Sequence, residues 1–190
     1  QYRRSLVIYA YENALVEQKL DTTVTQEDIA RYYEENLKNF ELKDNIVRVR
    51  WFKVREEDNR TLKRLEKLFH GGTEDDLSEL EVWLAKRGSR IIDTGDEWVA
   101  FSDLQKEVPI VTRNATDLLN AKDELVVNDS SGTYFVHILE HRLKDSTSPM
   151  DIVSTEIKAI IINKRKLRLI ERMREDLYRE AIQNKEIIAP

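Results

Sequence analysis

The sequence predicts an α+β chain: a helical module built from both chain ends, residues 1–44 and 147–190, with a mixed α/β domain inserted over residues 45–146. Three observations predict it. Apolar residues recur at helical spacing through residue 40, alternate with charged ones from residue 45, and return to helical spacing after residue 149.

Each element follows from its own stretch. In YRRSLVIYAYENALVEQKL, Leu6, Tyr9 and Val16 share one face of a helix and Ile8, Tyr11 and Leu15 another. A helix with two apolar faces is expected to be buried on more than one side. Asp21, Thr22 and Thr23 interrupt the pattern, and Thr25 with Asp28 three residues on gives a capping-box-like start to a second helix. Ile29, Tyr32, Tyr33, Leu37 and Phe40 carry that helix onward.

Residues 45–55 change to a period of two, with Val47, Val49 and Trp51 on one side and Arg48, Arg50 and Phe52 on the other. The arginines predict that their side is wet. Helices are expected over 58–70, turning Leu62, Leu65, Leu68 and Phe69 inward, and over 74–87, separated by Gly71 and Gly72 and stopped by Gly88. Short apolar runs follow at 90–92 and 98–101, then a strand over 133–142 after a turn at 128–132. The last third is one helical pattern, with Val153, Ile157, Ile160, Ile161, Leu167, Ile170, Leu177 and Ala181 near one stripe. A helix of that length spans on the order of 50 Å, so it must pack along the first two helices or a partner.

Composition narrows the function. Hydrophobic residues make up 41% and charged residues 35%, with 5 Gly and 3 Pro, which excludes a disordered or collagenous chain. A net charge of −5 argues against a nucleic-acid partner. The absence of cysteine removes disulfides, thiolate metal sites and cysteine nucleophiles together. No Gly-rich loop has phosphate-cradling spacing, and no cofactor or metal is expected. No run reaches the roughly 18 apolar residues of a membrane span. The chain begins at Gln1 inside a helical pattern, so an upstream segment is expected, and membrane association, if any, would come through it.

The stretch VTQEDIARYYEENLKNF, residues 24–40, resembles the helix that precedes the isomerase domain in SurA- and PrsA-type envelope foldases. The middle of the chain is similar to a parvulin-type, PpiC-like peptidyl-prolyl isomerase domain, of Bacteroidetes-like cast. The features that carry this are the opening strand VRVRWFKV, a helix ending in a Gly pair, DDLSEL, WVAF followed by Val108 and Pro109, LLNAKDELVV, and the closing strand TYFVHILEHR. The resemblance implies a helical peptide-binding module like those of SurA and trigger factor, a periplasmic or cell-envelope location, and unfolded or outer-membrane polypeptides as clients. It also implies two histidines on facing strands. Trp51 and Tyr134 stand at those positions here, and neither Asp93 nor Asp96 aligns securely as the acidic member. Isomerase activity is therefore expected to be weak or lost.

The aromatic residues Trp51, Trp98, Phe101 and Tyr134 are the candidates for a peptide-contacting groove, with ordinary packing between neighbouring strands as the alternative for Trp51 and Tyr134. The histidines His70, His137 and His141 read as scattered surface or helix-end residues without a tight carboxylate partner. His137 and His141, if on a strand, are more than ~13 Å apart, too far for one ion. The basic run at 163–174 reads as a solvated helix face with ion pairs three and four residues apart. Three functions fit: an envelope foldase or chaperone, an active isomerase with an altered site, and a structural or assembly protein docking a partner through its long terminal helix.

Overall fold

The structure, a computed structural model, describes residues 2–55, 57–71 and 73–184. Gln1, Gly72 of the expected glycine pair and residues 185–190 of the expected helical module lie outside the described residues. The fold mixes helices with an antiparallel sheet, and the chain divides into two compact units: Glu41–Ser148, and the residues on either side of it.

The flanking unit contains α1 (Tyr2–Lys19), α2 (Gln26–Glu35) and α7 (Met150–Gln183). The Thr25 hydroxyl accepts the Asp28 N–H at 3.1 Å, which fixes where α2 starts. α2 ends at Glu35, and a 3-10 turn, Leu37–Asn39, replaces the continuation that the sequence predicts. This turn swings Phe40 back into a small core with Ile29, Val153 and Ile157, where its ring stacks on Tyr33 at 5.7 Å between centroids. α1 and α2 both run antiparallel to α7. Glu12 and Asp21 meet Arg174 and Arg165 in reverse order, and Asp28 also binds Arg165.

Three expectations are corrected in this unit. α1 has no buried residue among those described, because its two apolar faces require two neighbours and α7 covers only one. The α7 stripe is likewise buried only near its start, at Val153 and Ile157, while Leu167 and Leu177 remain exposed. The basic run of α7 is also different from the expected pattern: Arg174 pairs across to α1, and Arg165 to Asp21 in the α1–α2 connection and Asp28 in α2, rather than along their own helix. The Arg165 guanidinium additionally donates to the Thr23 carbonyl at 2.6 Å, clamping the link between the first two helices.

In the second unit, β1 (Ile46–Val54) lies between β5 (Gly132–Arg142) and the two short strands β2 (Ile92–Asp93) and β3 (Val99–Ala100). β4 (Glu124–Asp129) flanks β5, and every pairing is antiparallel. Alternation along β1 sends Val47, Val49 and Trp51 to one core with α5 (Phe101–Glu107) and α6 (Ala115–Ala121). Phe52 and Val54 face a second core with α3 (Asn59–His70) and α4 (Glu74–Ala85). The arginine side is thus wet only at one end: Arg48 and Arg50 are half-buried there, paired with Glu140 and Asp93. Asp58 caps α3, and Thr73 with Asp76 forms a reciprocal capping box at α4.

The β4–β5 hairpin turns through Ser130 and Ser131, with Asp129 paired to Gly132. Gly132 has φ 147°, and a Cβ placed there would lie 2.2 Å from the Val54 carbonyl oxygen. Gly132→Ala is expected to cost about 1–3 kcal/mol of stability in urea unfolding, since both the backbone conformation and the close approach oppose a side chain. An unchanged midpoint would contradict this account.

Candidate functional site

The aromatic candidates do not converge on one open groove. Trp51 and Tyr134 are neighbours, with ring centroids 6.2 Å apart, but they are only 9% and 6% exposed. Phe101, 1% exposed, closes the same core as the first residue of α5, held by its N–H to the Asn45 carbonyl at 2.8 Å. Trp98 lies on the other side of the sheet. Its ring is half-buried beneath the guanidinium groups of Arg48, at 4.5 Å, and Arg142, at 5.6 Å. Strand alternation separates Arg48 from Trp51, and so separates the two tryptophans. Packing in the core between the sheet and α5 accounts for Trp51, Phe101 and Tyr134. The Trp98 Nε1–H is buried without a hydrogen-bond partner, and nothing in the structure explains it.

The polar end of Tyr134 points to the hairpin. Its hydroxyl lies 3.2 Å from the Ser131 Oγ and 3.5 Å from Asp129, and the Lys53 ammonium sits 4.8 Å over its ring while donating to Ser131 at 2.7 Å. The Ser131 and backbone hydrogen bonds hold the Asp129 carboxyl below the usual carboxylate range. This network satisfies a turn. The Tyr134 phenol is committed to it through Ser131 and Asp129.

Two of the three histidines, His70 and His137, meet, which corrects the expectation that all three are scattered; His70 stands at a helix end, as expected. His70 ends α3 with its imidazole 7% exposed, its ring 5.7 Å from that of His137 on β5 and its Nδ1 3.6 Å from a Glu124 carboxylate oxygen on β4. Burial pushes the His70 pKa below its ordinary value, against the opposing pull of Glu124. The contact was hidden in the sequence because it depends on the register of β4, β5 and the docking of α3. Among the described residues, no group of three His, Asp or Glu side chains is arranged to hold a metal ion.

An open apolar cleft lies in the flanking unit. Val7, Ile8 and Tyr11 of α1 face Met173 and Leu177 of α7 across a cleft of about 610 Å³. Val7, Ile8, Tyr11 and Leu177 are 63%, 54%, 53% and 46% exposed, so the cleft is lined by side chains that gain little from folding. Glu12 and Arg174, joined at 2.9 Å, bridge the helices at its edge. Tyr2, Leu6, Tyr9 and Tyr178 extend the exposed apolar and aromatic surface of the same two helices. The signal was legible in the second apolar face of α1, which needs a cover that α7 does not provide.

No family model and no curated protein sequence matches the chain. Among solved structures it is similar to a chain from a study of the Campylobacter jejuni virulence factor PEB4 and the periplasmic protein Cj1289, described there as structurally related SurA-like chaperones. The likeness has a TM-score of 0.35 and 14% identity, and covers 94% of this chain and 69% of that one. A likeness of this size assigns no residue a role. No helix among the described residues is long and apolar enough to cross a membrane.

Proposed function

We propose that this protein is an envelope foldase or chaperone that holds unfolded polypeptide, with peptidyl-prolyl isomerase activity weak or lost. The observation that carries the reading is the exposed apolar cleft of Val7, Ile8, Tyr11, Met173 and Leu177. Its chemistry suits clients that differ in sequence. Aliphatic and aromatic walls with a flexible methionine offer contact area without a fixed polar pattern, which is what tolerant binding requires. The occupant is an extended or collapsed segment rich in aliphatic and aromatic residues, as in an outer-membrane polypeptide before folding. The resemblance of residues 24–40 to SurA- and PrsA-type foldases supports the same reading and the periplasmic location that goes with it. On this reading 41–148 is a parvulin-like unit whose histidine positions have become the buried pair Trp51 and Tyr134.

Dilution of a urea-denatured outer-membrane-type polypeptide into buffer tests the proposal. Light scattering is expected to fall at micromolar concentrations of this protein without ATP, and unchanged scattering would remove the chaperone reading. A proline-limited refolding reaction, which takes tens of seconds uncatalysed, is expected to keep about its uncatalysed rate. Strong acceleration would restore the isomerase alternative.

A further inference from the structure

We propose that His70, His137 and Glu124 form an acid-sensitive latch: it holds the last turn of α3 on the sheet at neutral pH and releases that turn on acidification. The inference is independent of the polypeptide-holding reading. It rests on a cluster of groups from three elements, α3, β5 and β4, that the fold brings together beside a core.

The geometry favours an uncharged His70. Its imidazole is 7% exposed, and neither ring nitrogen has a hydrogen-bond partner. In the neutral state the ring packs as an aromatic body, 5.0 Å from the Phe69 ring and 5.7 Å from His137. The neutral ring already buries one N–H; a further proton would add a second buried donor and a desolvated charge. Two carboxylates oppose this cost: Glu124, whose oxygen is 3.6 Å away but half-exposed, and Glu66 on α3 itself. His137 faces the ring directly and acts in the same direction as burial. On β1 Arg50 lies in register with His137, its guanidinium paired with Asp93 at 2.7 Å. Desolvation is the largest of these influences.

What the latch covers is apolar. Phe69 meets Phe52 edge-on at 4.9 Å, and Phe52 stacks on Phe135 at 4.9 Å. Loosening the end of α3 would therefore open this phenylalanine stack to solvent. The sign follows from linkage. His70 titrates below its ordinary value when folded and near about 6.5 when unfolded, so the latch contributes its full stability above pH ~6.5 and loses it as the pH falls below that value.

All three tryptophans lie in residues 41–148, so their fluorescence reports on this unit in the full chain. Urea unfolding at pH 7.5 and 5.5 should show the unfolding equilibrium constant of the wild type rising up to about tenfold more than that of His70→Leu, while His141→Gln keeps the wild-type dependence. The same pH dependence in His70→Leu as in the wild type would overturn the proposal. Should that variant not fold, the wild type suffices for a decision by NMR. The His70 ring should titrate below about 6.5, with amide exchange at Phe69 and His70 accelerating on acidification before that of β1 and β5. A His70 that titrates at or above that value, or an α3 end as protected as the strands at pH 5.5, would equally overturn it.

Discussion

Trp51→Ala is expected to destabilise the 41–148 unit by about 3–5 kcal/mol, the usual cost of removing a large aromatic from a core. The indole is 9% exposed, packs on Tyr134, and pairs through its backbone with Val136 and Ile92 on both neighbouring strands, so the cavity left behind would be ringed by strands that cannot collapse into it. Urea unfolding followed through the remaining Trp83 and Trp98 measures the loss. Client affinity per folded molecule should be unchanged. A substitution that left stability within about 1 kcal/mol and weakened polypeptide binding tenfold would return Trp51 to the role of a binding residue.

Ile8→Asp combined with Leu177→Asp is expected to have the opposite profile. Both side chains are about half-exposed on the cleft, so their replacement costs under about 1 kcal/mol of folding stability, chiefly through the lower helix propensity of aspartate. Binding should fall about tenfold or more, because a client's apolar segment would meet two carboxylates where it now meets aliphatic walls. Fluorescence polarisation of a labelled denatured polypeptide, read beside a circular-dichroism melt, separates the two effects. Unaltered affinity in a folded double variant would move the client site elsewhere on the protein.

The elements legible in the sequence are those whose pattern is long or chemically marked. The nine residues of β1 alternate clearly, Thr25 caps α2, and the 34 residues of α7 have few interruptions. Helices α5 and α6 are not legible as helices, since seven residues each give too few turns for a period to show. β4 does not stand out either, because LVVN follows α6 after only a brief polar break. Aromatic content was visible, but its grouping was not. Trp51, Phe101 and Tyr134 meet through sheet register and the docking of α5, and the same register brings His137 toward His70. The second apolar face of α1 is legible, but its exposure is not: two apolar faces indicate a need for two neighbours without indicating whether the second is supplied.

The ends of the 41–148 unit lie side by side. Glu41 bridges to Thr147, Leu42 exchanges backbone hydrogen bonds with Asp145 and Ser146 at 2.9 Å each, and the Asn45 side chain accepts the Lys144 N–H at 2.9 Å. This seam has a consequence for the order of assembly. Before the unit folds, joining α2 to α7 means closing a loop of roughly a hundred residues; once the seam has formed, the connection is only a few residues long, and the entropic cost of closure falls by about 2–3 kcal/mol. The middle of the polypeptide therefore acts as a buckle, drawing together two helical pieces that are remote in sequence and are made far apart in time during synthesis.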